Sequence, residues 1–164
     1  MNEPLPPLIV EATKKASIVW VEVAPTPPRA MWCTWSADAV CVVCGPAEQP
    51  DPGLGDVEKC SVTCRGDHGG RIVTFSATVN KLVPGTETWT EVAAALAAKR
   101  LNAVGDTQQR WAEHNAIYRL VPTAAMTAGD QLPDTALAAE MVPTPATTAT
   151  RQPFRLHRVK RRKT

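Results

Sequence analysis

Along residues 71–83, RIVTFSATVNKLV, apolar and polar side chains take turns. Val73, Phe75, Ala77, Val79 and Val83 fall on one face, and Thr74, Ser76, Thr78 and Asn80 on the other. A period of two with β-branched enrichment marks a half-buried strand. At thirteen residues the stretch exceeds the ~3–10 of an ordinary strand. Strands of that length bend or serve two sheets, as barrel strands do.

The remaining pattern arranges itself around this strand. ASIVWVEVA (16–24) alternates Val19, Val21 and Val23 against Ile18, Trp20 and Glu22, and Pro25, Pro27 and Pro28 stop it because proline cannot donate to a ladder. Residues 30–35 and 40–44 read as a hairpin turned at Ser36-Ala37-Asp38. A Pro/Gly-rich loop (45–55) leads to a fourth strand (57–65), and 66–70 turn into the long fifth. After Pro84-Gly85, Thr88 and Glu91 have capping-box spacing, which predicts a helix over 89–103 with Val92, Leu96 and Ala103 on its apolar face and Lys99 and Arg100 near its end. Residues 108–113 suggest a helical turn, and a sixth strand over 116–121 is closed by Pro122. Six short strands and one clear helix predict a mainly β protein built on a small antiparallel barrel.

Composition divides the chain further. A Pro-rich lead (1–15) carries Leu8, Ile9, Val10 and Ala12, enough to dock one turn of helix; the barrel domain is then 16–123. Ala, Thr and Pro dominate 124–150, read as a linker, because such a segment buries too little apolar surface to offset ~1–2 kcal/mol of ordering entropy per residue. Residues 151–164 hold seven of the chain's 18 basic residues and no acid, leaving eleven against 16 acids, about −5, in residues 1–150. Such an arm suits a polyanion, with strong salt dependence, or else remains a solvated terminus. No apolar run approaches the ~18 residues a membrane span needs, and the first residues lack the basic-then-apolar order of a signal peptide, so a cytoplasmic protein is expected. Its Ala/Val/Arg/Pro bias is that of a high-GC bacterial genome.

Candidate chemistry is sparse. Cys41-x2-Cys44 and Cys60-x3-Cys64 parallel four-cysteine zinc spacing, but residues three apart in a strand point to opposite faces and Val42-Val43 is a poor knuckle turn. Buried packing is the simpler role for these cysteines, with a redox pair a lesser alternative. Trp32 and Trp35 suit either a core or interface, or the wall of a flat-ring ligand. No nucleophile motif and no phosphate-cradling glycine loop is present.

The order of strand, hairpin, the loop phrase Val42-Val43-Cys44-Gly45-Pro46-Ala47-Glu48-Gln49, strand, Gly69-Gly70-Arg71 into the long strand, the helix ending Lys99-Arg100-Leu101-Asn102, and HNAIYRLVP resembles the pyridoxamine 5′-phosphate oxidase-like, flavin-binding split-barrel proteins. The resemblance covers about residues 16–123. It implies a six-stranded antiparallel split barrel of Greek-key type with one or two short helices and flexible termini. It implies a homodimer with FMN at the dimer interface, and an FMN-dependent oxidoreductase activity on a small molecule; some relatives use a deazaflavin or haem. The cofactor-binding residues it points to are Trp35, Cys44, Gly45 and Gln49, with Lys59 and Arg71 as phosphate partners. The flavin would do the redox chemistry, so no catalytic side chain and no metal ligand is assigned.

The loop departs from the flavin-binding pattern. Where those proteins carry cations, residues 45–51 carry Glu48 and Asp51 and no cation. A like charge at ~4 Å from the phosphate costs on the order of 4 kcal/mol at an effective dielectric near 20, about three decades of affinity. That directs the search for a phosphate partner to Lys59, Arg65 or Arg71. It also motivates an alternative: a non-catalytic barrel used for binding or assembly, with the basic tail contacting a polyanion or protein.

Overall fold

The computed structural model describes residues 5–102 and 105–128. Seven strands form one antiparallel sheet: β1 (Ile18–Glu22), β2 (Arg29–Trp32), β3 (Thr34–Ser36), β4 (Ala39–Cys44), β5 (Lys59–Arg65), β6 (Arg71–Lys81) and β7 (Ala116–Ala128). Their order is β2-β1-β5-β6-β7-β4-β3. The two outermost strands, β2 and β3, are consecutive in the chain and separated by Cys33 alone. The sheet therefore curls into a nearly closed barrel.

This explains the strand count. The expected second strand, 30–35, is two strands, because its first half pairs with β1 and its second with β4. The strand that serves both ends of the sheet is this one, broken at Cys33, rather than the long β6. β6 does lie at the centre, paired with β5 on one side and β7 on the other. The β3–β4 turn places Ala37 and Asp38 at φ 48° and 54°, the left-handed pair that two-residue hairpins between right-twisted strands require.

The last strand is longer than its sequence predicts. It continues through Pro122 to Ala128, so the first residues of the expected linker, 124–128, belong to the sheet. Proline is accommodated where the β6–β7 register shifts between Phe75 and Ala77, and the Thr123 hydroxyl donates to the Ser76 carbonyl there. The rest of the expected linker and the whole basic tail lie outside the described residues.

Two cores flank the sheet. Val19, Val21, Val62, Val73, Phe75 and Leu120 fill the barrel. Helix α1 (Pro7–Lys15) packs against β3, β5 and β6 and adds the fully buried Ile9 to that core. Helices α2 (Glu87–Lys99) and α3 (Thr107–His114) cover the outer face, where Trp89, Val92, Leu96 and Trp111 meet Ala39, Cys41, Val43 and Ile117. With both faces covered, all six residues of β4, AVCVVC, are buried, which is why that strand reads as a continuous apolar run.

Helix α2 starts two residues earlier than its capping box implied. The N-cap is Thr86, whose hydroxyl accepts from the Trp89 amide at 3.2 Å; Thr88 lies inside the helix. Burying Trp89 and Val92 on β4 fixes the rotation of the first turn, and Thr86 is the hydroxyl that this rotation presents to the open amides. The helix ends at Lys99 rather than 103, with Arg100 at its C-cap.

Candidate functional site

Between β4 and the 3-10 turn Leu54–Asp56 the chain folds into a turn with left-handed backbone. Gly45 sits at φ 126° and Ala47 at φ 59°. The Gly45 amide donates to the Gln49 carbonyl and the Glu48 amide to the Gly45 carbonyl, both at 3.0 Å, so residues 45–49 close a tight turn. Asn115 holds it from beneath, donating to the carbonyls of Cys44 and Pro46. A Cβ on Gly45 would stand 2.8 Å from the Asn115 amide nitrogen, so this position needs glycine both for space and for its backbone angle.

From this turn the two acids of the loop point into the protein. The Glu48 carboxylate is only 2 % exposed. Its Oε1 accepts from Arg100 Nε at 2.8 Å, from the Trp111 indole at 2.8 Å and from Arg110 at 3.3 Å. The Asp51 Oδ1 accepts from the amides of Gly53 and Leu54, and its Oδ2 accepts from the Tyr118 phenol at 2.7 Å. The expectation that both carboxylates would oppose a bound phosphate is therefore corrected. Glu48 is neutralised by two guanidiniums and Asp51 is saturated by donors, because tertiary folding supplies partners that the loop itself lacks.

Beside the turn lies a cavity of about 850 Å3, within the usual range for small-molecule sites. Its walls come from four places: Ser17 and Ile18 at the start of β1, Trp32 and Cys33 where the barrel closes, Ala47 to Gln49 of the turn, and Lys99 to Leu101 at the end of α2. Ile18 and Leu101 are 55 % and 86 % exposed. Lys99 stands on the rim and makes no hydrogen bond or ion pair with any described residue, whereas the Arg100 guanidinium is held by Glu48 and by the carbonyls of Ala47, Leu101 and Asn102. Cys33 is 2 % exposed, and burial pushes its thiol up to about 12, with the Lys99 charge opposing.

Trp32, which the sequence offered as the wall of a flat-ring ligand, lines this cavity, and of the six expected cofactor-binding residues only Gln49 does. Its carboxamide is engaged with the backbone of Trp32: Oε1 accepts from the Trp32 amide and Nε2 donates to the Trp32 carbonyl, each at 2.9 Å. Gly45 shapes the turn that carries it, and Cys44 is buried in the barrel core with its thiol pushed up to about 12. Trp35 packs against the same core from β3. Lys59 lines a separate, smaller cavity of about 320 Å3 with Glu22, Ser61 and Ser76. Arg71 begins β6 and pairs in register with Arg65, whose guanidinium lies 4.7 Å from the Trp20 ring centre. The six do not converge. Ser17 and Lys99 are the neighbours of Gln49 that sequence reasoning passed over as site residues. The one available signal was the pair of cations ending α2.

Cys41 and Cys44 face opposite sides of β4, one in the outer core and one in the barrel. They cannot share a metal. All five cysteines are buried free thiols.

No family model matches the chain, and no curated protein matches it. Solved structures do. The heme storage protein HutZ from Vibrio cholerae is 16 % identical, with a TM-score of 0.54, over 78 % of this chain and 95 % of that one. A conserved hypothetical protein from Mycobacterium tuberculosis is 15 % identical, with a TM-score of 0.54, over 80 % and 91 %. The general stress FMN/FAD binding protein from Xanthomonas citri is 14 % identical, with a TM-score of 0.50, over 83 % and 94 %. At such identities the likeness is one of fold, and the fold of this chain is the split barrel of the pyridoxamine 5′-phosphate oxidase-like proteins.

Proposed function

We propose that the chain binds a flavin mononucleotide in the 850 Å3 cavity and serves as a flavin-dependent oxidoreductase on a small molecule. The observation that carries this reading is the pairing of apolar lining with one unengaged cation: Trp32, Ile18 and Leu101 around the cavity suit an isoalloxazine ring, and Lys99 suits its phosphate. Of the acids that argued against a phosphate, Glu48 is paired with two guanidiniums and Asp51 is saturated by neutral hydrogen-bond donors. A bound flavin supplies the electron chemistry; this chain binds it, shields it and sets its orientation. The exposed Ile18 and Leu101 at the mouth favour a second copy covering the cavity, as a homodimer would. A deazaflavin fits the same wall. Haem fits less well, because among the described residues the lining contains no histidine, methionine or tyrosine to ligate iron and its cysteine thiol stays protonated at neutral pH.

Thermal unfolding with FMN and with riboflavin, beside an absorbance spectrum from 300 to 500 nm, tests this. A ligand at 100 times its dissociation constant adds ~2.7 kcal/mol, a shift of several degrees. Lys99→Ala should weaken FMN binding about tenfold, the worth of one charge-assisted contact, and leave riboflavin unchanged. No shift with FMN, riboflavin or a deazaflavin would remove the reading.

The seven positive charges of residues 151–164 support a second role, contact with a polyanion. Deleting 151–164 should abolish salt-sensitive retention on heparin and leave flavin binding intact.

A further inference from the structure

Glu48 and Gln49 are neighbours in the chain, yet their side chains run to opposite walls of the cavity. Gln49 reaches β2, an outermost strand of the sheet, and satisfies the Trp32 amide and carbonyl that face away from β1. It acts there as one residue of an eighth strand, covering an edge that would otherwise be open. Glu48 reaches the other way and gathers Arg100 from the end of α2 and both Arg110 and Trp111 from α3. Trp32 and Cys33 form one wall, Arg100 and Leu101 the other, and the turn between them carries both ties.

We propose that Glu48 and Gln49 are the positioning pair of this site: from adjacent backbone positions they hold its two walls at a fixed separation, so that a planar aromatic ligand meets an immobile Trp32 indole. Neither residue is assigned to direct contact with the reacting part of a ligand. The ligand part of this inference rests on the flavin reading; the mechanical part does not. The tight turn is what makes the pair work. Gly45 and Ala47 take left-handed angles, the Gly45–Gln49 hydrogen bond closes the loop, and Asn115 fixes it from β7's end, so a pull on either side chain is resisted by the same rigid turn. Arg100 also ties back to the Ala47 carbonyl, which locks the helix end to the turn a second time.

The charge of Glu48 gives the test its edge. Glu48→Gln frees Arg100 and adds one positive charge beside the cavity. Were Glu48 only an electrostatic brake on phosphate binding, this variant would bind FMN more tightly than the wild type. A positioning role predicts the reverse: Glu48→Gln and Gln49→Ala each lose about tenfold in affinity, by the same factor for FMN and for riboflavin, which has no phosphate.

The buried cysteines supply a readout that needs no ligand. In the full-length wild-type protein all five described thiols are buried and should react slowly with a disulfide reagent under native conditions. Gln49→Ala should unmask one thiol, Cys33, on the freed β2 wall, and the signal should vanish in the Gln49→Ala, Cys33→Ser double variant. Glu48→Gln should unmask Cys41, which belongs to the same outer core as Trp111. Tighter FMN binding in Glu48→Gln, unchanged thiol reactivity in both variants, or simultaneous exposure of all five thiols would each overturn the proposal, the last because it would mark a general loss of structure. Absence of flavin binding in the wild type, with the two thiols still unmasked one by one, would sink the flavin reading and leave the positioning pair standing.

Discussion

The phenol of Tyr118 donates to the Asp51 carboxylate at 2.7 Å, joining the last strand of the barrel to the loop that follows β4. Through its other oxygen the same carboxylate accepts from the Gly53 and Leu54 amides, so one side chain both starts the 3-10 turn and anchors it to the sheet. Tyr118 is buried, and burial together with the Asp51 charge pushes its ionisation well above the ordinary tyrosine range. Tyr118→Phe should cost about 1.5–3 kcal/mol, the net worth of a hydrogen bond to a charged group. Asp51→Ala should cost more, because three donors lose their partner at once. Chemical denaturation of both variants checks the order; equal costs would mean that the two backbone contacts contribute nothing.

The alkaline limb of stability should be steep. Burial holds Cys33, Cys41, Cys44 and Cys60 at about 12 and Cys64 at about 11, against an ordinary value of 9.0. In the unfolded chain these thiols ionise from about pH 9, while in the folded chain they keep their protons. The unfolded state thus binds fewer protons between pH 9 and 11, and stability falls as pH rises through that window. Each thiol contributes on the order of 1.4 kcal/mol per pH unit. Denaturation midpoints measured under reducing conditions should hold from pH 7 to 8.5 and drop sharply by pH 10.5. Replacing Cys60 by Ala should soften that drop.

Gly45→Ala should destabilise strongly. The new methyl group meets the Asn115 amide at 2.8 Å while the backbone stays at φ 126°, so Asn115 must move and release the carbonyls of Cys44 and Pro46. A loss of about 2–4 kcal/mol follows from strain plus unsatisfied polar groups. Gly70→Ala, whose Cβ meets nothing within 4 Å, should be near neutral and serves as the control.

Helix α2 offers a sharper discrimination between neighbouring threonines. Thr86→Ala should cost about 1 kcal/mol by removing the N-cap, whereas Thr88→Ala, inside the helix where alanine is the better helix former, should be neutral or stabilise by a few tenths. Equal losses would restore the Thr88 capping box that the sequence suggested.

The N-terminal helix is an integral part of the barrel core. Ile9 is fully buried among barrel residues, and Ile9→Ala should cost about 2–5 kcal/mol. A melting temperature within a degree of the wild type would show that α1 undocks freely.

Most of the barrel was legible along the chain because strand periodicity is local. Val73, Phe75 and Ala77 alternate whatever they pack against, and proline or glycine clusters end a run wherever they occur. Legibility failed where a residue's role depends on a distant partner. The break at Cys33 exists because β2 and β3 join opposite ends of the sheet, and no local pattern announces closure. Pro122 reads as a stop, yet the strand passes through it because β6 shifts register opposite. Glu48 reads as a loop acid that would oppose a bound phosphate, yet its partners Arg100, Arg110 and Trp111 stand 52, 62 and 63 residues away.

The amino-acid sequence by itself determined that this chain is an antiparallel β protein with one amphipathic helix after its long strand, since turn chemistry and side-chain period act over a few residues. Only the tertiary structure decided where its candidate site lies. The cavity is assembled from β1, the β2–β3 junction, the 45–49 turn and the end of α2, and it turns two acids inward, because the pairing of charges and the closure of a sheet are settled by which segments meet in space.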